Sequence, residues 1–233
     1  MNRIAFETNW KIVTAVLSAL AILIFLGTWQ AQKIGPKTQL LKSIEQGMSA
    51  DPMLLPVHLD DPQSVVYRRV SFDGVAADAP AIKVFGTNLK GKPGYSLYKP
   101  VIRQHGRAVM VNFGWIPLAQ QKLPILPVGE ITVNGVLMES AVAGDFTPPD
   151  NLEKNEWYTA NVHEMAQFFG LSSKEYYHFR IFADHSDDTA GFPQGGQVRV
   201  DIPNDHFEYM LTWYGLALGL IGVFLAFSLK KKD

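Results

Sequence analysis

The groups in this chain that could bind a metal or move a proton are few and scattered. Six histidines (His58, His105, His163, His178, His185 and His206) fall at no metal-ligand spacing on any expected helix. The tetrad HSDD at 185–188 could hold a cation through its carboxylates, and an exposed acidic loop would carry the same residues. Asp145, Asp150, Glu153 and Glu156 are numerous enough for acid–base work. They lie, however, in a Pro-rich, exposed-looking stretch with no nucleophile or oxyanion signature beside them. Nucleophile-elbow, P-loop, HExxH and dinucleotide fingerprints are absent. So is cysteine, which excludes thiol redox chemistry, thioether haem attachment and a thiolate copper site. A membrane-anchored hydrolase is therefore the weakest functional class. His206 differs from the other histidines in position: it stands three residues ahead of a long apolar stretch.

That stretch and its counterpart at the other end are the elements that must position any site. Residues 12–29 (IVTAVLSALAILIFLGTW) and 209–229 (YMLTWYGLALGLIGVFLAFSL) contain no charge. At 1.5 Å per residue such segments cover about 27–32 Å, the thickness of a bilayer's hydrocarbon core. Helices satisfy their own backbone groups and so can lie in lipid. A signal peptide is disfavoured for the first, because its exit GTWQAQ lacks a small-x-small cleavage site. Lys230, Lys231 and Lys232 follow the second as a positive-inside stop, and Tyr209, Trp213 and Tyr214 mark its opposite end at headgroup level. The expected layout is a cytoplasmic N-terminus (1–11), a first transmembrane helix (12–29), a periplasmic domain (30–208), a second transmembrane helix (209–229) and a cytoplasmic C-terminus (230–233). Such a chain is a multi-pass protein of a bacterial-type inner membrane, in contact with lipid.

The chain has 233 residues, a net charge of −1 and 47% hydrophobic residues. Between the two apolar segments lie 179 residues (30–208), enough for one well-cored domain. The near-neutral balance offers no nucleic-acid footprint. KTQLLKSIEQG predicts a short amphipathic helix with Gly47 as C-cap, followed by an extended, Pro-punctuated ADPMLLPVHLDDP. From Tyr67 onward YRRVSFDGV, AIKVFGT, GYSLYKPVI, RAVMVNFGWIP and EITVNGVLM read as strands, with a hairpin turn at HGR (105–107). NVHEMAQFFG predicts a helix capped by Asn161 and stopped at Gly170, and YYHFRIF and QVRVDIP read as two last strands. The fold class is α+β: two transmembrane helices flanking one β-rich, antiparallel, barrel-like extramembrane domain with short helices.

Five segments carry a more specific signal: LGTWQ (26–30), VNFGWIP (111–117), PPDNLEKNEW (148–157), QGGQVRV (194–200) and NDHFEYMLTWYGLAL (204–218). Together they resemble the surfeit-locus family of cytochrome oxidase assembly factors. Members of that family show a W-Q exit from the first helix, a central V-N-R-G-W-x-P, and a G-G-Q-x-R-V ending followed by N-x-H-x-x-Y-x-x-T-W-Y/F-G. The resemblance covers nearly the whole chain. One departure is visible: Phe113 stands where the family usually has arginine, so any role of that arginine is not carried over.

The resemblance implies a non-enzymatic role in maturing haem-copper terminal oxidases, by holding haem A for insertion into the catalytic subunit. It implies that subunit, and haem A synthase, as partners. By the same likeness His206 is the candidate axial ligand to haem iron, with Trp29, Gln30, Tyr209, Trp213 and Tyr214 as the surrounding surface. A neutral imidazole at a lipid boundary suits that chemistry. Gly27, Gly215 and Gly219 remove bulk and would let a helix or a flat ligand approach. From the residues alone other readings stand beside this one. Trp and Tyr are ordinary interfacial anchors, a lone histidine can be a polar boundary residue, the glycines can serve helix packing, and Asn204 and Asp205 can cap the helix. A haem-free scaffold for an oxidase intermediate is the alternative function. VNFGWIP reads as a buried strand with Trp115 in the core.

Overall fold

A computed structural model describes residues 3–6, 9–59, 61–120, 122–184, 191–200 and 202–232. The chain divides into two compact units, Met1–Ser43 with Asp201–Asp233, and Ile44–Val200. HSDD at 185–188 lies outside the described residues.

In the first unit, β1 (Arg3–Phe6) precedes α1 (Trp10–Ser49), and α3 (His206–Ser228) precedes β10 (Leu229–Lys232), which pairs antiparallel with β1. Both helices are long and apolar enough to cross a membrane. The predicted amphipathic helix is not a separate element: α1 runs without a break through Pro36 to Ser49, 40 residues in all. Gly47 is therefore inside the last turns and not a cap. Its missing side chain serves close approach instead, since a Cβ there would lie 3.0 Å from the Tyr67 carbonyl oxygen. Ile44, one turn earlier, is buried.

The second unit holds β2 (Met53–Leu54), a 3-10 turn (Pro62–Val65), β3 (Arg69–Ala76), β4 (Ile82–Thr87), β5 (Pro93–Arg103), β6 (Ala108–Pro117), β7 (Gly129–Glu139), β8 (Glu156–Trp157), α2 (Val162–Phe168) and β9 (Tyr176–Ala183). The strands form one sheet in the order β2-β3-β7-β9-β6-β5-β4-β8, with β3 also paired to β5. That extra pairing closes β3-β7-β9-β6-β5 into a ring. Closure is uneven: β3 pairs with β7 over eight residues but with β5 only over Gly74–Ala76. The sheet is also mixed, which corrects the antiparallel expectation. β2 with β3, β4 with β8, and β6 with β9 run parallel. For the ring the reason is arithmetic: five strands cannot alternate in direction all the way round, so at least one neighbouring pair must run parallel. The β6–β9 pair absorbs that mismatch, because the chain returns to β9 through a crossover containing α2.

Alternation along β3, whose buried positions recur every second residue, aims Val70 and Phe72 into the barrel beside Val101, Val109, Val111, Leu137, Phe179 and Ile181. β6 is buried on both faces. Its Ala108 and Met110 pack on a second cluster with Val162, Met165 and Ala166 of α2. α2 begins as predicted: the Asn161 side chain accepts from the His163 and Glu164 amides, and Gly170 takes a left-handed φ of +72° after it. The turn at 105–107 joins β5 to β6, with Gly106 at φ +82°. Among its described residues QVRVDIP (197–203) forms no strand. Gln194, three residues before it, bridges to Trp115, and β9, the strand before it, already has β6 and β7 on its two edges.

Candidate functional site

The sequence motifs separate into two structural groups. LGTWQ and NDHFEYMLTWYG belong to the first unit, where they bring α1 and α3 together. His206 opens α3, and its Nδ1 lies 2.7 Å from Gln30 Oε1. A carbonyl oxygen has only lone pairs, so the shared proton belongs to Nδ1. Neutral His206 then carries its free lone pair on Nε2, the nitrogen a metal would use. Eight residues along α3, the half-buried Tyr214 ring covers Gly27: a Cβ on Gly27 would be 2.8 Å from Tyr214 Cε1. Thr28 donates its hydroxyl proton to Ile24 O at 2.8 Å. The 3.1 Å contact between Thr28 Oγ1 and Tyr214 Oη is thus made by the tyrosine donating.

Of the six predicted site residues, the structure joins Gln30 to His206 and packs Tyr214 against α1. Trp29 and Tyr209 point outward, 46% and 54% exposed, and Lys33 Nζ lies 5.9 Å over the Trp29 ring. Trp213 is half-buried. Close approach is used at Gly27 alone; a Cβ on Gly215 or Gly219 would meet nothing within 4 Å. The capping reading is corrected too, since Asp205 makes no side-chain cap bond. Asn204 Oδ1 is buried with no hydrogen-bond partner among the described residues. Sequence reasoning missed Thr28. Thr14 and Ser18 lie in the same apolar run, so a hydroxyl there did not single it out.

VNFGWIP, QGGQVRV and PPDNLEKNEW all lie in the second unit, where they make joints. Trp115 N donates to Gln194 O at 2.9 Å, and Gln194 N to Trp115 O at 2.8 Å. Gly114 has φ +130°, and a Cβ there would lie 2.6 Å from the Gln194 backbone. Asn112 Oδ1 accepts the Gly114 amide, and Asn112 Nδ2 donates to Tyr98 Oη, which Arg180 also reaches at 2.9 Å. Burial pushes the Tyr98 phenol above its ordinary value, against the pull of Arg180. Trp115 is core, as predicted. Phe113 packs on the barrel interior and on a third cluster around Leu97, Ile116 and Leu126. It fills with hydrocarbon a place where an arginine would need partners.

In PPDNLEKNEW, Asn155 adopts φ +50°, accepts from Trp157 Nε1 and donates to Ala81 O at 2.7 Å. Asp150 accepts the Tyr158 amide at 2.6 Å. These polar residues clasp the buried Trp157. No group of three His, Cys, Asp or Glu able to hold a metal ion occurs among the described residues. His163 is occupied at both ring nitrogens, by Tyr176 Oη at 2.6 Å and Gln167 Nε2 at 3.1 Å. At His206, by contrast, only Nδ1 is engaged among the described residues, by Gln30.

The SURF1 family profile matches residues 17–218, which take in most of α1, the first part of α3 and the whole β-domain. Surfeit locus protein 1 of Takifugu rubripes is 27% identical over 226 residues, covering 88% of this chain and 92% of that protein. The SURF1-like protein of Rickettsia felis is 28% identical over 217 residues, 91% of this chain and 94% of its own length. Surfeit locus protein 1 of Gallus gallus is 27% identical over 228 residues. The chain belongs to the SURF1 family.

Proposed function

We propose that this protein is a membrane-bound, non-enzymatic assembly factor for a haem-copper terminal oxidase, which holds haem A and assists its insertion into the catalytic subunit. In this reading residues 12–29 and 209–229 cross a bacterial-type inner membrane, both termini are cytoplasmic, and the β-domain is periplasmic. The oxidase catalytic subunit is the client, and haem A synthase the source of the cargo.

The observation that carries the reading is the Gln30–His206 pair. A hydrogen bond on Nδ1 fixes the tautomer and ring orientation of a histidine whose Nε2 is to ligate a metal, and here that bond is 2.7 Å long. The donor set fits an iron porphyrin: one neutral imidazole at the start of an apolar helix, with aromatic rings at Tyr209, Trp213 and Tyr214 in the first turns of that helix and Trp29 next to Gln30 in the middle of α1. Haem A is cargo here, and its oxygen chemistry belongs to the client. The protein's part is to bind the iron, orient the imidazole and shield an apolar ring system from water.

Coexpressed with a haem A synthase, the purified protein is expected to show a haem A visible spectrum, and His206→Ala to weaken its retention. A protein that never carries haem, under conditions where the client does, overturns the proposal. The haem-free scaffold draws on a different observation, the open Gly215 and Gly219 positions on α3, which suit a neighbouring transmembrane helix. It predicts co-purification with the catalytic subunit and an oxidase activity indifferent to His206→Ala.

A further inference from the structure

We propose that the face of the β-domain bearing the 88–92 and 122–128 loops dips into an anionic membrane surface. The 88–92 loop and the exit of β6 lie at one end of the sheet, because Thr87 pairs with Pro93 and Gly94 with Pro117; the 122–128 segment then runs along β5 to Gly129, which is level with Val101. Their apolar side chains face out: Leu89 is 56% and Ile125 93% exposed, and Leu123 and Val128 are exposed too. Single exposed apolar residues need no explanation, but four on two short loops do.

The 122–128 segment is held, not loose. Leu126 is buried among Ala81, Leu97 and Ile116, and the buried Lys99 donates through Nζ to Pro127 O at 3.2 Å. With Leu126 fixed inward and Pro124 and Pro127 limiting the backbone, Ile125 is presented outward.

The charge carried by these two loops has one sign. Lys90, Lys92 and Lys122 are exposed, and neither loop contains Asp or Glu. Apolar tips ringed by lysine are the composition of an interfacial lipid contact, with each cation near an anionic leaflet adding to binding. Leu89 N donates to Gln197 Oε1 at 3.1 Å, which holds the 88–92 loop to the segment before Val200. The proposal rests on α3 being a membrane span, but not on haem.

The native chain has no cysteine, so a single introduced cysteine is a unique labelling point. Nitroxide would be placed at Ile125→Cys, at Phe146→Cys and at Leu218→Cys of α3 in the full-length protein. Each variant would be reconstituted in phosphatidylcholine vesicles with and without phosphatidylglycerol. Phe146 is the control: it is 99% exposed, but it stands beside Asp145 and has no lysine within four residues. The expected result is an oxygen-to-nickel accessibility ratio at residue 125 several-fold above that at 146. Phosphatidylglycerol should raise it, and replacing Lys90, Lys92 and Lys122 with Gln should lower it. Equal, aqueous ratios at 125 and 146 with a lipid-type ratio at 218 overturn this proposal alone. Shielding of 125 from both reagents assigns the patch to a protein partner and also overturns it. A water-type ratio at 218 removes the membrane span and the proposal with it.

Discussion

Replacing Gln30 with Leu removes the acceptor from His206 Nδ1 while keeping a side chain of similar size between the helices. The lost bond is a 2.7 Å neutral pair, worth about 0.5–1.5 kcal/mol by itself. Its effect on iron affinity is larger, because the bond also selects the tautomer with Nε2 free and holds the ring plane. Removing such an outer partner typically costs about 10–100-fold in metal affinity, or roughly 1.4–2.7 kcal/mol. Haem A titrated into the purified protein in detergent, followed by its visible absorbance, should therefore give a Kd raised by that factor. Gln30→Glu, which keeps an acceptor, should stay close to wild type. Because Gln30 acts through His206, Gln30→Leu should add nothing in a His206→Ala background. The reasoning fails if Gln30→Leu binds within about twofold of wild type while His206→Ala does not bind, a factor too small for a lost outer-sphere partner. It also fails if the two losses simply add.

Gly27→Leu should force the Tyr214 ring from its place, 2.8 Å from the added Cβ. The cost is about 1–3 kcal/mol of overpacking together with the Thr28–Tyr214 bond, itself about 0.6 kcal/mol in a membrane helix pair. Its unfolding midpoint in sodium dodecyl sulfate should fall below that of Tyr214→Phe; equal midpoints would contradict the contact. In the β-domain, Gly94→Ala would overlap the Ile116 carbonyl oxygen and bring Cβ 2.6 Å from the Trp115 ring, whereas a Cβ on Gly86 meets nothing within 4 Å. Thermal unfolding should show Gly94→Ala destabilised by at least about 1–3 kcal/mol and Gly86→Ala nearly unchanged. The Ser172 hydroxyl and amide, both bonded to Glu175, hold its carboxyl below the ordinary value. Because the folded value is depressed, this contribution is present above about pH 4.5, the ordinary value, and is lost as pH falls through the folded value. Wild type should lose stability more steeply on that acid limb than Glu175→Gln, as read by denaturant midpoints against pH.

Much of the fold was legible because its causes are local. Asn161 announced the start of α2, since an amide side chain can take the first free N–H groups of a helix. Gly106 announced the β5–β6 turn, since the turn needs a left-handed residue. Trp115 and the β6 run were readable as core from their unbroken apolar character. The errors arose where a local pattern met a long-range constraint. QVRVDIP alternates like a strand, yet the strand before it already has both edges paired. Gly47 has the composition of a cap, yet α1 continues past it, and its missing side chain serves the Tyr67 carbonyl. Of the six site residues, the motifs placed all on the two helix ends, but they did not separate Gln30 and His206, which touch, from Trp29 and Tyr209, which face away.

The two apolar helices, the strand-rich middle and the motif-bearing ends follow from composition and periodicity, because hydrophobic burial and backbone hydrogen bonding act over a few residues or one turn. Pairing belongs to the tertiary structure. Residues 30 and 206 meet only because two distant helices run side by side, and VNFGWIP meets QGGQVRV only because the sheet closes into a ring. The parallel β6–β9 edge is of the same kind: the odd number of strands in that ring, a property of the assembled sheet and of no single strand, requires it.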